Sequence, residues 1–145
     1  MGRCLLVVAG VVLVWLGTGC GSSRPPLPKD APSDVAVELG HQAARDMIEA
    51  QELVGRARFK EARERFVEAR QSLEMIADNQ DTIDRLAKAI FWIGFCYERT
   101  DEVPLAEVHY NEVLDRFPYS DAARQARNRL ANLHPTPNQK PKADS

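Results

Sequence analysis

IFWIGFCYERTDEVPLAEVHYNEVLDRFP, residues Ile90 to Pro118, is the stretch whose reading decides the fold. Ile90, Ile93, Gly94 and Tyr97 recur at helical spacing. After the polar break Arg99-Thr100-Asp101-Glu102, so do Val103, Ala106, Tyr110, Val113, Leu114 and Phe117. Two amphipathic helices folded back on each other account for both runs. A glycine inside a helix costs about 1 kcal/mol relative to alanine, so Gly94 marks a close approach of two backbones. Ala106 is the other small residue there, with Tyr97 and Tyr110 filling the sides. Pro104 falls in the first turn of the second helix, where a missing N–H has no partner to lose. Pro118 ends that helix.

Working outward, Val35 to Val54 reads as a helix with Leu39, Ala43, Met47, Ala50 and Val54 on one stripe. Gly55 to Arg58 breaks it, and Phe59, Ala62, Phe66, Ala69, Leu73 and Ile76 then step by threes and fours. Ala62, Phe66 and Ala69 stand 44 residues before Ala106, Tyr110 and Val113, so the two hairpins are related units. The first departs from the second in its leading helix, with Asp46 in the place of Ile90, Ala50 of Gly94 and Leu53 of Tyr97. Glu74 stands in the place of Pro118. Asp81 or Thr82 can cap the third helix, whose buried face is Ile83, Leu86, Ala87, Ile90, Ile93 and Tyr97. Ser120-Asp121 restarts the chain, and Ala122, Ala126, Leu130 and Leu133 form a thin stripe flanked by Arg124, Arg127, Asn128 and Arg129. This is the pattern of a terminal helix, apolar on one side only.

Ile90, Ile93-Gly94, Tyr97, Ala106, Tyr110 and Pro118 resemble, in order, the signature of the tetratricopeptide repeat (TPR). The resemblance implies an all-α domain over residues 34–133, with about two antiparallel helical hairpins and a C-terminal capping helix. The usual period is about 34 residues, so about ten extra lie between the units. Either a loop around Ala77 to Thr82 holds them or the helix ending there is longer. Two repeats fall short of the three that usually make a stable array, and self-association or a partner can complete it.

Residues 1–19 read as a signal peptide: Arg3 supplies a positive charge, Cys4 to Leu16 is apolar, and Gly17-Thr18-Gly19 is small. The apolar run is shorter than the roughly 20 residues a membrane span needs. Small residues before a cysteine resemble the bacterial lipobox, which implies acylation of Cys20, although Leu16 sits one place further from that cysteine than the pattern asks. Cleavage near Gly19 or Gly21 to a soluble exported protein is the other reading. Gly21, rather than Asp, follows the cysteine, which by the same resemblance implies an outer-membrane lipoprotein facing the periplasm. Residues 20–33 carry four prolines and read as a tether; Arg24-Pro25-Pro26-Leu27-Pro28 reads alternatively as a proline-rich ligand. Residues 134–145 read as a disordered tail.

The 145 residues carry 19 Lys plus Arg against 21 Asp plus Glu, a balance that does not suggest a nucleic-acid surface. Cys4, Cys20 and Cys96 form no CxxC, and His41, His109 and His134 have no second ligand at metal spacing. Neither a phosphate loop, a serine elbow nor HExxH occurs, so the expectation is a non-enzyme with no metal and no cofactor. What remains is a surface for a partner. In TPR proteins the first helix of each repeat lines a concave face, which here implies Lys88, Phe91, Phe95 and Arg99, with Met47 and Gln51 from the first repeat. Phe91 and Phe95 are apolar anchors in that reading and core residues in the other. The overall plan is similar to that of cell-envelope TPR lipoproteins, among them the one of the β-barrel assembly machinery. That similarity implies a scaffold for another envelope protein or peptide, or alternatively an accessory of peptidoglycan or pilus assembly.

Overall fold

A computed structural model of the chain describes residues 33–135. The readings that concern the signal peptide, Cys20, most of the tether and most of the tail lie outside those residues. The described chain is all-α: five helices, α1 (Ser33–Gly55), α2 (Phe59–Met75), α3 (Gln80–Arg99), α4 (Val103–Arg116) and α5 (Asp121–Leu133), and no strand among the described residues. Each helix packs on the next, and α3 also touches α1 and α5, so the odd-numbered helices share one side of the molecule. On the other side α2 and α4 keep their Cα atoms more than 8 Å apart. Long side chains bridge them instead: Arg63 to Glu102 at 3.0 Å, Arg70 to Glu112 at 2.9 Å and Arg116 to Glu74 at 3.2 Å.

Two hairpins, α1–α2 and α3–α4, are built on the same turn. In the first, the Arg58 N–H donates to the Leu53 carbonyl and the Ala57 N–H to that of Val54, both at 2.9 Å. In the second, the Glu102 N–H donates to Tyr97 at 2.9 Å and the Asp101 N–H to Glu98 at 3.2 Å. Each bond moves by 44 residues, and so does the left-handed residue, Ala57 (φ 55) and Asp101 (φ 64). This is a Schellman ending, which normally takes glycine because the left-handed region crowds a Cβ.

The 44-residue period comes from helix length and not from a loop. Only Ile76 to Asn79 separate α2 from α3, and the third helix begins at Gln80, two residues before the later of the two caps read from the sequence. The cap is Asn79, whose side chain accepts from the Thr82 N–H at 3.0 Å, a bond that satisfies one of the four free donors of the helix start. Ser120 caps α5 in the same way at 3.1 Å.

Phe66 and Tyr110 are the largest fully buried side chains. Burial of a side chain of that size is worth roughly 2 to 3 kcal/mol, so each anchors its hairpin. Gly94 is required where the sequence placed it: a Cβ there would stand 3.0 Å from Tyr110 Cε1 and 3.2 Å from the Ala106 carbonyl oxygen. Two clusters make up the core, one around Phe66, Ile93 and Cys96 and a larger one around Ile90, Phe91, Tyr110 and the alanines of α5. Met47, Trp92 and Tyr97 pack against both and join them.

Candidate functional site

Positions 88, 92, 95 and 99 of α3 step by four, three and four, which puts Lys88, Trp92, Phe95 and Arg99 on one face of the helix. Lys88 and Arg99 are exposed at its two ends, and Trp92 and Phe95 are half-buried between them. The Trp92 ring stacks on Phe66 at 5.8 Å between centroids and meets Phe95 edge-on at 5.1 Å. Phe95 in turn meets Phe59 edge-on at 6.3 Å. Two guanidiniums cover these rings: Arg129 of α5 lies 5.5 Å from the Phe95 centroid and Arg99 5.2 Å from that of Phe59. Each such contact contributes about 0.5 to 1 kcal/mol near the surface.

Arg129 is held by Glu98, whose Oε2 accepts from its Nε at 2.9 Å and also from the Tyr110 hydroxyl at 2.7 Å. Burial and that acceptor raise the Tyr110 hydroxyl well above the ordinary phenol range, so it stays a donor. The cation over Phe95 is thereby fixed from the core outward.

Phe91 is a correction to the sequence reading. It is 5% exposed and packs in the larger cluster, 5.5 Å from Tyr110 and 5.7 Å from Trp92, so it cannot be a groove anchor. The reason is angular: Phe91 follows Ala87 by four residues and precedes Gly94 by three, on the buried side of α3. Trp92, one residue on, takes the place expected of it. Met47 is half-buried beside both clusters, and Gln51 is exposed on the same helix. Lys88 also lines a separate polar cleft of about 360 Å³ with Gln80, Asp84, Ser120, Asp121 and the fully exposed Tyr119.

Cys96 is buried, and desolvation pushes its thiol up to about 12, far from a reactive thiolate. Among the described residues no three His, Cys, Asp or Glu side chains come together as a metal site. No helix among them is long and apolar enough to cross a membrane. Protein-family models, curated proteins and solved structures were compared with the chain, and none matches.

Proposed function

We propose that this chain is a scaffold of the tetratricopeptide type, exported, acylated at Cys20 and facing the periplasm from the outer membrane. In this reading it binds a segment of another envelope protein along α3. The single observation that carries the binding is the half-exposed pair Trp92 and Phe95 between Lys88 and Arg99, with Arg129 over one ring. Rings that are partly desolvated and rimmed by cations suit a peptide offering an apolar anchor next to a carboxylate. The turn repeated at 44 residues, the Gly94–Ala106 approach and the half-apolar α5 support the repeat assignment. The anchor rests on the sequence around Cys20 alone.

Crosslinking in the native envelope from a photoreactive residue placed at Gln51, followed by identification of the captured protein, tests the reading. Phe95→Ala should retain helicity and lose about tenfold or more of that capture, the effect typical of a central aromatic anchor. Capture undiminished by Phe95→Ala overturns the groove. Cys20→Ser should move the protein out of the membrane fraction; if it stays there, the lipid anchor is wrong. A second reading, glycan binding in peptidoglycan assembly, draws on the exposed Tyr119 ring beside the polar cleft. Cosedimentation with purified sacculi that Tyr119→Ala abolishes would favour it.

A further inference from the structure

The outward side of α1 carries an apolar line that the described residues leave exposed at Val37, Ile48 and Gly55. Each helical residue advances about 100°, so Val37, Ala44, Ile48 and Gly55 fall within about 20° of one line along the helix. That line is opposite the stripe of Ala43, Asp46, Ala50 and Leu53 that α1 buries. Val37 is 56% exposed and Ile48 60%. A polar outer face is what the last helix of an array presents to water, and α5 has one in Arg124, Gln125, Arg127 and Asn128. On the corresponding side of α1 the exposed polar residues His41 and Gln51 flank the apolar line instead of replacing it.

One flank of this line bears Glu38, Arg45, Glu49, Glu52 and Arg56, all exposed; within the chain Arg45 pairs with Glu38 at 2.9 Å, Arg56 with Glu52 at 3.8 Å and Glu49 with Arg65 of α2 at 3.1 Å, so pairing between copies exchanges these surface partners. Glu38 and Arg56 share Met47 as their midpoint, and so do Arg45 and Glu49. When two copies of a helix run antiparallel about a twofold axis, each flank meets itself and every residue meets its mirror about the midpoint. About Met47, Arg45 meets Glu49 and Glu38 meets Arg56, twice each, while Glu52 meets the neutral Gln42. The apolar line is symmetric about residue 46, one residue earlier, so that Ile48 meets Ala44 of the other copy and Ala44 meets its Ile48. Val37 lies over Gly55, where a Cβ would find nothing within 4 Å. A parallel pairing would set the charged flank against Gly40, Met47 and Gln51 and lose every ion pair.

We propose that the outward face of α1 is the seat of a second copy of this chain, bound antiparallel with its centre at Met47. The observation is independent of the α3 groove. The apolar area is small, so the charge pattern sets the register and the association is a weak, salt-sensitive one.

Sedimentation of the full chain in detergent tests the pairing through its symmetry. Arg45→Glu alone and Glu49→Arg alone should each weaken the dimer by about tenfold or more, because each sets like charges face to face at two places. An equimolar mixture of the two variants should recover the affinity of the parent, since in the mixed pair each reversed residue meets the oppositely charged residue of the other copy. Ile48→Ser should weaken the dimer with no such rescue. Both charged positions are more than half exposed, at 57% for Arg45 and 53% for Glu49, and unchanged circular dichroism confirms that each variant folds. A parent that sediments as a monomer, variants that dimerise like the parent, or a mixture no tighter than its components each overturn the proposal.

Discussion

The two hairpins end their first helices identically and fill their interiors differently. Ala57 and Asp101 occupy the same left-handed turn position, and Phe66 and Tyr110 the same buried place. Around them the leading helices part company. The second hairpin has Ile90 where the first has Asp46, a carboxylate only 3% exposed whose hydrogen bonds come from Gln42 Nε2 at 2.9 and 3.1 Å. It also has Gly94 where the first has Ala50, and so admits a hydroxylated ring that reaches Glu98. Backbone geometry is thus the stricter constraint on the repeat unit. Side chains vary as long as each hairpin keeps one large ring over a small residue.

The largest way to break the comparison is to empty its shared place. Tyr110→Ala and Phe66→Ala should each cost about 3 to 5 kcal/mol, read as a fall in the denaturant midpoint. Tyr110→Phe sharpens it by making the second ring like the first. It should cost only about 1 kcal/mol, the worth of one hydrogen bond. Asp46→Leu removes a buried carboxylate that has one neutral partner and should stabilise by about 1 to 2 kcal/mol. A loss would mean that Asp46 is held by more than Gln42. Ala57→Gly relieves a Cβ in the left-handed region and should gain about 0.5 to 1 kcal/mol in thermal unfolding. Asp101→Gly should gain less, because Asp tolerates that region better than Ala.

The smallest effect concerns the bridge between hairpins. Burial pushes the Glu112 carboxyl up, but His109, Arg116 and Arg70 outweigh it and bring it from 4.5 down to about 2. His109 Nδ1 stands 3.6 Å away, too far for a good hydrogen bond, so the guanidiniums at 2.6 and 2.9 Å are the contacts that matter. A carboxyl held low in the folded state stabilises above its unfolded value and loses that stability as pH falls towards the folded one. Stability should therefore decline between about pH 4.5 and pH 2, and Glu112→Gln should flatten that part of the profile.

Much of this was legible because helical periodicity reports burial directly. On α1 the stripe held the buried Ala43 and Ala50 but not Asp46 or Leu53. The stripe from Phe59 to Ile76 contains the residues that α2 buries, and the spacing of 44 was visible in Ala62, Phe66 and Ala69. What carries that spacing was not, since a longer helix and a longer loop leave the same count of residues. Asp46 was seen as a departure from Ile90, yet burial of a carboxylate runs against residue type and only packing reveals it. Phe91 and Phe95 look alike in the sequence. Four residues carry the helix only about 40° past a full turn, so a small angular difference exchanges core for surface on a helix with apolar residues on several sides. Arg129 could not be placed at all from sequence, because its contact with Phe95 depends on where α5 lies against α3.

The seam between α2 and α4 gives the molecule a stiff side and a compliant one. Where Trp92 stacks on Phe66 and Phe91 wedges against Tyr110, the rings interlock and act as a pivot. On the far side the two backbones are tied only by long arginine and glutamate arms, which swing and stretch like cords. Bending motions of the pair of hairpins should turn about the rings and lengthen or shorten the cords, and added salt, by screening the ion pairs, should slacken them without disturbing the pivot.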